Sequence, residues 1–229
     1  MSPVNRIGSL RLAYGHLDGS DLLRAICQEF PGRVAAVSSF GAESAVLLAM
    51  VAEVDPGLPV IFLDTGELFD ETLAYRTELS RLLGLIDLRV VRPAPARLAE
   101  AEELWRSDPE ACCHLRKVLP LRQAVAGFQV LVDGRKRFHG AERAQLRSIE
   151  PGNEGQLKLS PLASWSQARI DAAFDALRLP RHPLVAQGYR SIGCWPCSRP
   201  TEPGEPVRAG RWAGSAKTEC GIHKVGTTL

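Results

Sequence analysis

The chain has 229 residues, 28 Lys and Arg against 26 Asp and Glu, a net charge of +2 and 45% apolar residues, the make-up of one globular domain with or without an appendage. Near-neutral charge argues against a general nucleic-acid binder, and no run approaches the roughly 18 to 20 apolar residues that span a bilayer. Residues 1–10 lack a basic segment followed by an apolar core and cleavage site, so the expected compartment is the reducing cytoplasm. A chain of this size buries roughly 70% of its unfolded surface without staples, so its six cysteines need an explanation other than structural disulfides.

Apolar runs bounded by Gly, Pro or Asp at 33–40 and 58–64, with a weaker one at 86–91, predict short buried strands. Between them, 43–54 and 68–83 carry the three- and four-residue apolar steps of helices. Strand alternating with helix predicts a parallel twisted α/β sheet covered on both faces, with ligands at the carboxyl ends of its strands. Helical patterns follow at 97–105 and 113–126, then a fourth strand at 128–132, a loop or hairpin at 152–160 and an amphipathic helix at 166–177. Beyond Pro200 the chain turns rich in Pro and Gly. The expected organisation is one domain over 1–205 and a mobile C-terminal segment over 206–229.

Ser38-Ser39-Phe40-Gly41-Ala42-Glu43-Ser44 falls where the first strand hands over to a helix. Free amides at a helix start, with small and hydroxyl residues, suit an anion, although any such turn favours Ser and Gly as caps. It is not a GxxxxGK[ST] loop, because no Lys follows the second Gly. Leu63-Asp64-Thr65-Gly66 ends the second strand on the same sheet edge.

The strongest chemical signal joins Cys112-Cys113 to Cys194-Trp195-Pro196-Cys197. Four thiolates are a full ligand set for tetrahedral zinc or an iron–sulfur cluster, while the CxxC alone also suits a thioredoxin-type redox pair. Adjacent cysteines point in different directions and fit one Zn²⁺ poorly, whereas a [4Fe–4S] cube offers sites on separate irons, so the cluster is the preferred reading. Cys220 lies in the C-terminal segment among Lys217, Glu219, His223 and Lys224, as a reactive thiolate or an incidental thiol. Cys27 reads as helix packing. Lys117 shares a helical face with Cys113, and Arg135, Lys136, Arg137, Arg143, Arg208 and Arg211 gather at strand ends and beside the segment. That placement suggests a pocket for a small polyanion.

Taken together, SSFGAES, LDTG, CCHLRKVLPL, DGRKR, KLSPLASW, GYRSIGCWPCSRP and GRWAGSAKTECGIH resemble, in the same order, the sulfonucleotide reductases, and specifically their iron–sulfur adenylyl-sulfate (APS) branch. The resemblance implies a fold of the adenine-nucleotide alpha-hydrolase-like, PP-loop type and reduction of APS to sulfite and AMP by a thioredoxin or glutaredoxin-like dithiol protein. It implies a [4Fe–4S] cluster on Cys112, Cys113, Cys194 and Cys197, and Cys220 as nucleophile. Ser38, Ser39, Gly41, Leu63, Thr65 and Gly66 then fall on nucleotide-lining motifs, Lys117 between cluster and substrate, and Arg137, Arg143, Arg208, Arg211 and His223 near the phosphosulfate. Glu67 and Phe138-His139 depart from the pattern. PAPS, the 3′-phosphorylated nucleotide, is the alternative substrate. An ATP-pyrophosphatase-type adenylating enzyme would carry SGGxDS at the cradle, and a noncatalytic metal-binding module would leave Cys220 unexplained. The oligomeric state stays open, a homo-oligomer included.

Overall fold

The computed structural model describes residues 3–223. Its centre is a six-stranded sheet built from β1 (Val34–Val37), β2 (Val60–Leu63), β3 (Leu88–Val91), β4 (Val130–Val132), β5 (Ile149–Pro151) and β6 (Leu157–Leu159), in the order β3-β2-β1-β4-β6-β5. Every pairing is parallel except that of β5 with β6, so the expected loop or hairpin at 152–160 is a hairpin that contributes an antiparallel edge. The chain winds outward from β1 to β3, then returns to place β4 on the other side of β1. Loops part above that reversal, which opens a crevice at the carboxyl ends of β1 and β4.

Alternation along the strands sends residues to two faces. Val34, Ala36, Val60, Phe62, Val130, Val132, Leu157 and Leu159 join the larger core with helices α1 (Ile7–Tyr14), α2 (Gly19–Glu29), α3 (Ser44–Val54), α4 (Asp70–Leu83) and α9 (Gln167–Ala176). Their neighbours Ala35, Ile61 and Leu131 meet Leu121 and Val125 of α8 (Leu119–Val125) on the opposite face. Helix α3 sits deep in the larger core and is apolar on nearly all sides, whereas α2 buries only the stripe of Leu22, Leu23 and Ile26.

Between β3 and β4 the structure departs from the two helices expected. The first breaks into α5 (Pro95–Glu100) and α6 (Leu104–Ser107), with Glu103 between them in the left-handed region at φ 55°. The second begins at α7 (Pro109–Cys113), capped by the Asp108 carboxylate on the amides of Glu110 and Ala111, and passes through a π turn at His114–Val118 into α8. Pro120 explains the wider turn. Its nitrogen has no hydrogen to close an ordinary helical turn, and the ring crowds the carbonyl four residues back. The tandem cysteines therefore end one helix just where the backbone widens.

After residue 200 the only helical piece described is a single 3₁₀ turn, Gly221–His223, together with a bridge between Ser198 and Arg211. This segment lies along the carboxyl edge of the sheet, with Cys220 buried. Lys224 lies outside the described residues. Among the described residues no helix is long and apolar enough to cross a membrane.

Candidate active site

The crevice is a cleft of about 200 Å³. Its floor is the β1–α3 turn. Ser38 is buried and its hydroxyl accepts the Phe40 amide at 3.2 Å, which curls the chain back toward α3. Phe40 adopts φ 49°, a left-handed conformation uncommon for a bulky residue, and its ring is locked edge-on against Phe62 at 5.4 Å. Packing beneath the turn therefore holds a strained backbone open above it. Gly41 has a separate steric reason: a Cβ there would stand 3.2 Å from the Ile192 carbonyl oxygen of the opposite wall.

That wall belongs to the loop Arg190–Gly193 and the β2 turn, where the Gly66 amide donates to Asp64 at 3.2 Å and Asp64 pairs with Arg92 at 2.8 Å. The third wall is cationic. Lys136 lies 2.8 Å from Glu43, and His139 lies 3.2 Å from the same carboxylate. Burial pushes Glu43 upward, but His139 and Lys136 outweigh it and hold the group at about 2. The other ring nitrogen of His139 stands 3.2 Å from the Arg143 guanidinium, so the unusual Phe138-His139 pair brings His139 into the site. Burial lowers the His139 pKa.

The C-terminal segment closes the cleft. Arg143 donates twice to Glu219, at 2.6 and 2.9 Å, and Arg208 once at 3.1 Å, so one carboxylate offsets two cations. Burial and the neighbouring Arg143 push Arg208 down to about 10. Arg211 reaches over Gly193 to donate to the Cys197 carbonyl at 3.1 Å, and a Cβ on residue 193 would collide with its guanidinium. Next comes Cys220, 8% exposed and packed on Cys113 and Trp212. With Cys113 protonated, its thiol as donor, then Lys117, the Ile222 amide and Arg211, depress the Cys220 pKa against the upward push of its burial, and where Cys113 serves as a ligand only the last three remain. Cys113 is displaced upward as the other half of that pair.

Cys112, Cys113, Cys194 and Cys197 line a second, smaller pocket directly behind the cleft. Lys117 lines both pockets, and burial of its ammonium is outweighed by the thiols around it. Thr65 also joins the two, lining the cleft while its hydroxyl meets Cys194 Sγ at 3.2 Å. Among the described residues no three His, Cys, Asp or Glu side chains are set to hold a single metal ion. The thiols thus frame a pocket instead of closing on one atom. Two buried donors beside them, Arg116 Nε and Trp212 Nε1, have no partner among the described residues. Four soft ligands lining one pocket and orphaned donors at its margin fit a group that carries its own acceptor sulfurs. Glu67, which departs from the expected pattern, pairs with Arg116 at 3.1 Å with both side chains largely buried.

Of the residues singled out from sequence, Ser38, Ser39, Gly41, Leu63, Thr65, Lys117, Arg143, Arg208, Arg211, Cys220 and His223 line the one cleft. Gly66 sits just behind Thr65 at φ 76°. Arg137 is exposed and donates to the Leu146 carbonyl at 2.7 Å, away from the cleft. Sequence reasoning assigned no role to Glu43, Asp133 or the Arg190–Gly193 loop, although each stands inside a motif it quoted; His139 was named only as a departure from the pattern and Glu219 only as a neighbour of Cys220, and both line the cleft. Asp133 accepts from Arg135 and Ser160, both at 2.7 Å, and faces His223 at 3.9 Å. Burial drives the His223 pKa down to about 3, so its ring is neutral near pH 7.

A doubly wound sheet with a hydroxyl-lined anion turn at its crossover, a cationic wall and a buried thiol defines a nucleotide-binding α/β protein of the PP-loop type. The chain belongs to the sulfonucleotide reductases: the family model described as "Phosphoadenosine phosphosulfate reductase domain" matches residues 33–200. It is 47% identical to the adenosine 5′-phosphosulfate reductase of Mesorhizobium japonicum, over 96% of this chain and 88% of that one. Against the enzyme of the same name from Mycolicibacterium smegmatis the identity is 40%, over 89% of this chain and 87% of the relative. The crystal structure of phosphoadenylyl-sulfate (PAPS) reductase from Candida auris superposes with a TM-score of 0.72 at 25% identity, covering 85% of this chain and 96% of that one. Yeast FAD synthetase shares the fold alone, at 16% identity and a TM-score of 0.54, over 87% of this chain and 77% of that one.

Proposed function

We propose that the protein reduces adenylyl sulfate to sulfite and AMP in the cytoplasm, with Cys220 as nucleophile and a thioredoxin-like dithiol protein as reductant. The observation that carries this reading is the position of Cys220, buried in the cleft wall beside Lys117 and Arg211 and across from the Ser38–Gly41 turn. The turn and the β2 end receive the nucleotide. Arg143, Arg208, Arg211 and Lys117 offset the charge of the phosphosulfate and align its sulfur with the thiolate.

The Cys220 thiolate attacks that sulfur, the sulfur–oxygen bond to the phosphate breaks, and AMP departs with the bonding electron pair. S-sulfocysteine remains on the enzyme. A thiolate of the dithiol protein then attacks Cys220 Sγ, sulfite leaves with the electrons of the sulfur–sulfur bond, and the partner's second thiol resolves the mixed disulfide, restoring Cys220. The dithiol is oxidised by two electrons and the sulfate sulfur is reduced by two. The segment after residue 205 serves as the carrier that shows Cys220 first to the cleft and then to the reductant.

Cys112, Cys113, Cys194 and Cys197 would hold a [4Fe–4S] cluster, which when bound supplies a structural cross-link and a fixed charge distribution behind the substrate. Lys117, which lines both pockets, relates that site to the phosphosulfate. Sulfite release by anaerobically purified protein, given thioredoxin and either APS or PAPS, with visible absorption recorded on the same sample, tests the whole reading. Turnover of APS by a brown protein is expected. Turnover of PAPS alone moves the specificity to the reading that the Candida auris likeness favours, and no sulfite from either overturns the proposal.

A further inference from the structure

Strand β6 reads Leu157-Lys158-Leu159, and all three residues are buried. The leucines enter the larger core, so alternation sends Lys158 to the opposite face, which α8 covers over β1 and β2. Ile222 packs on that second face and Lys158, 5% exposed, lies beneath the C-terminal turn. Its ammonium donates to the carbonyl oxygens of Ile222 at 3.3 Å and His223 at 3.0 Å. Burial, with Arg135 acting in the same direction, pushes its pKa down to about 8. A cation held at that cost in a strand centre, with two main-chain oxygens of the nucleophile's own turn as its acceptors, calls for a role.

The segment is pinned on both sides of Cys220, but by unlike contacts. Glu219 is held by Arg143 and Arg208, both of which line the cleft. An incoming phosphosulfate claims the same guanidinium groups, so that tie is contested at the moment the nucleophile is needed. Lys158 is not among the residues that line the cleft, and its acceptors carry no charge for a substrate to displace.

We infer that Lys158 is the latch of the catalytic segment: a positioning residue whose hydrogen bonds to the Ile222 and His223 carbonyls keep Cys220 seated in the cleft while Glu219 gives up its arginines to substrate. This rests on the reading of Cys220 as nucleophile, and its own readout does not require turnover. The effect falls on seating, hence on KM, while the hand-over to the reductant, which needs the segment free, is not slowed.

The test uses the purified holoenzyme with Lys158→Met, which keeps length and packing without donors, and Lys158→Gln as a second variant should the first fold poorly. Iodoacetamide labelling of Cys220, followed by mass spectrometry with half-buried Cys27 as internal reference, reports seating, and trypsin cleavage after Lys217 reports it independently of thiol chemistry. Expected are at least fivefold faster labelling and cleavage, unchanged Cys27 labelling, and a KM for APS raised about tenfold, equivalent to two lost hydrogen bonds at roughly 0.7 kcal/mol each, with kcat within twofold. Wild-type labelling and cleavage in both variants overturn the latch whatever the activity. So does equal acceleration at Cys27, which marks general loosening. If Cys220→Ser retains turnover while the labelling result holds, the nucleophile assignment fails and the latch stands.

Discussion

The two sides of the cleft are built by different means. The Ser38–Gly41 side is main chain held by packing: a left-handed Phe40 is locked by Phe62 and followed by a helix buried in the larger core. The 208–223 side is held by side chains: Glu219, just ahead of a single 3₁₀ turn, is paired by charge to Arg143 and Arg208, while Lys158 holds the carbonyls of that turn from below. Packed backbone holds its shape whether or not substrate is present, whereas charged contacts can be exchanged for a charged ligand. A fixed cradle opposite an exchangeable wall suits a reaction in which one group must stay and another must leave.

The sharpest way to break the comparison is Cys220→Ser. Sulfite release should fall by about a thousandfold or more while visible absorption and iron content stay at wild-type levels, because the proposed nucleophile is removed and the four thiols behind it are untouched. Residual turnover close to wild type would place the chemistry elsewhere. Next in size are Arg143→Ala and Arg208→Ala. On the proposed reading each removes a charge-assisted contact to the phosphosulfate and should raise the KM for APS about 10- to 100-fold with a smaller change in kcat, by steady-state sulfite assay. An unchanged KM in both would mean that these arginines serve only Glu219.

On the packed side, Gly41→Ala probes geometry without charge. The new methyl meets the Ile192 carbonyl at 3.2 Å, and both chains there are backed by buried residues, so neither yields easily. A cost of about 1–3 kcal/mol is expected, visible as a lower melting temperature and a KM raised severalfold. If the cradle were as adaptable as the opposite wall, both would stay at wild-type values.

The same contrast decides how much the sequence could reveal. Strands β1, β2 and β4 were legible because a buried parallel strand is apolar throughout, and the four pocket cysteines because thiol spacing is rarely accidental. The direction of side chains in a turn was not. Arg135, Lys136 and Arg137 look equivalent in a basic run, yet the first two turn inward to Asp133 and Glu43 while Arg137 turns out to a carbonyl. Lys158 escaped notice, and Glu219 read only as a neighbour of Cys220, because the partners Ile222 and Arg143 stand 60 or more positions away. The π turn at His114–Val118 was hidden because a helical period continues through it, and only Pro120 hinted at a break.

The smallest expected effect is an acid sensitivity set by buried histidines. His182 belongs to the packed side: it is 1% exposed, meets Thr72 Oγ1 at 3.0 Å, accepts the Leu184 amide at 3.2 Å, and starts a turn whose Leu184 packs with Ala42 and Ile192. Burial pushes its pKa down to about 4, against roughly 6.5 in an unfolded chain. A folded value below the unfolded one means that the contribution is complete above about pH 6.5 and is lost as the pH falls toward 4, since the unfolded state takes the proton first. Glu43 behaves differently. Held at about 2, its stabilising charge is complete above the ordinary carboxylate range, near 4.5, and is lost only below it. Melting temperatures followed by circular dichroism at pH 7, 5.5 and 4.5 should therefore fall by a few degrees in the wild type and less in His182→Gln, while Glu43→Gln follows the wild-type slope over that interval. Parallel slopes for wild type and His182→Gln would show that the acid sensitivity originates at the other buried histidines, His139 and His223, whose pKa values burial also lowers.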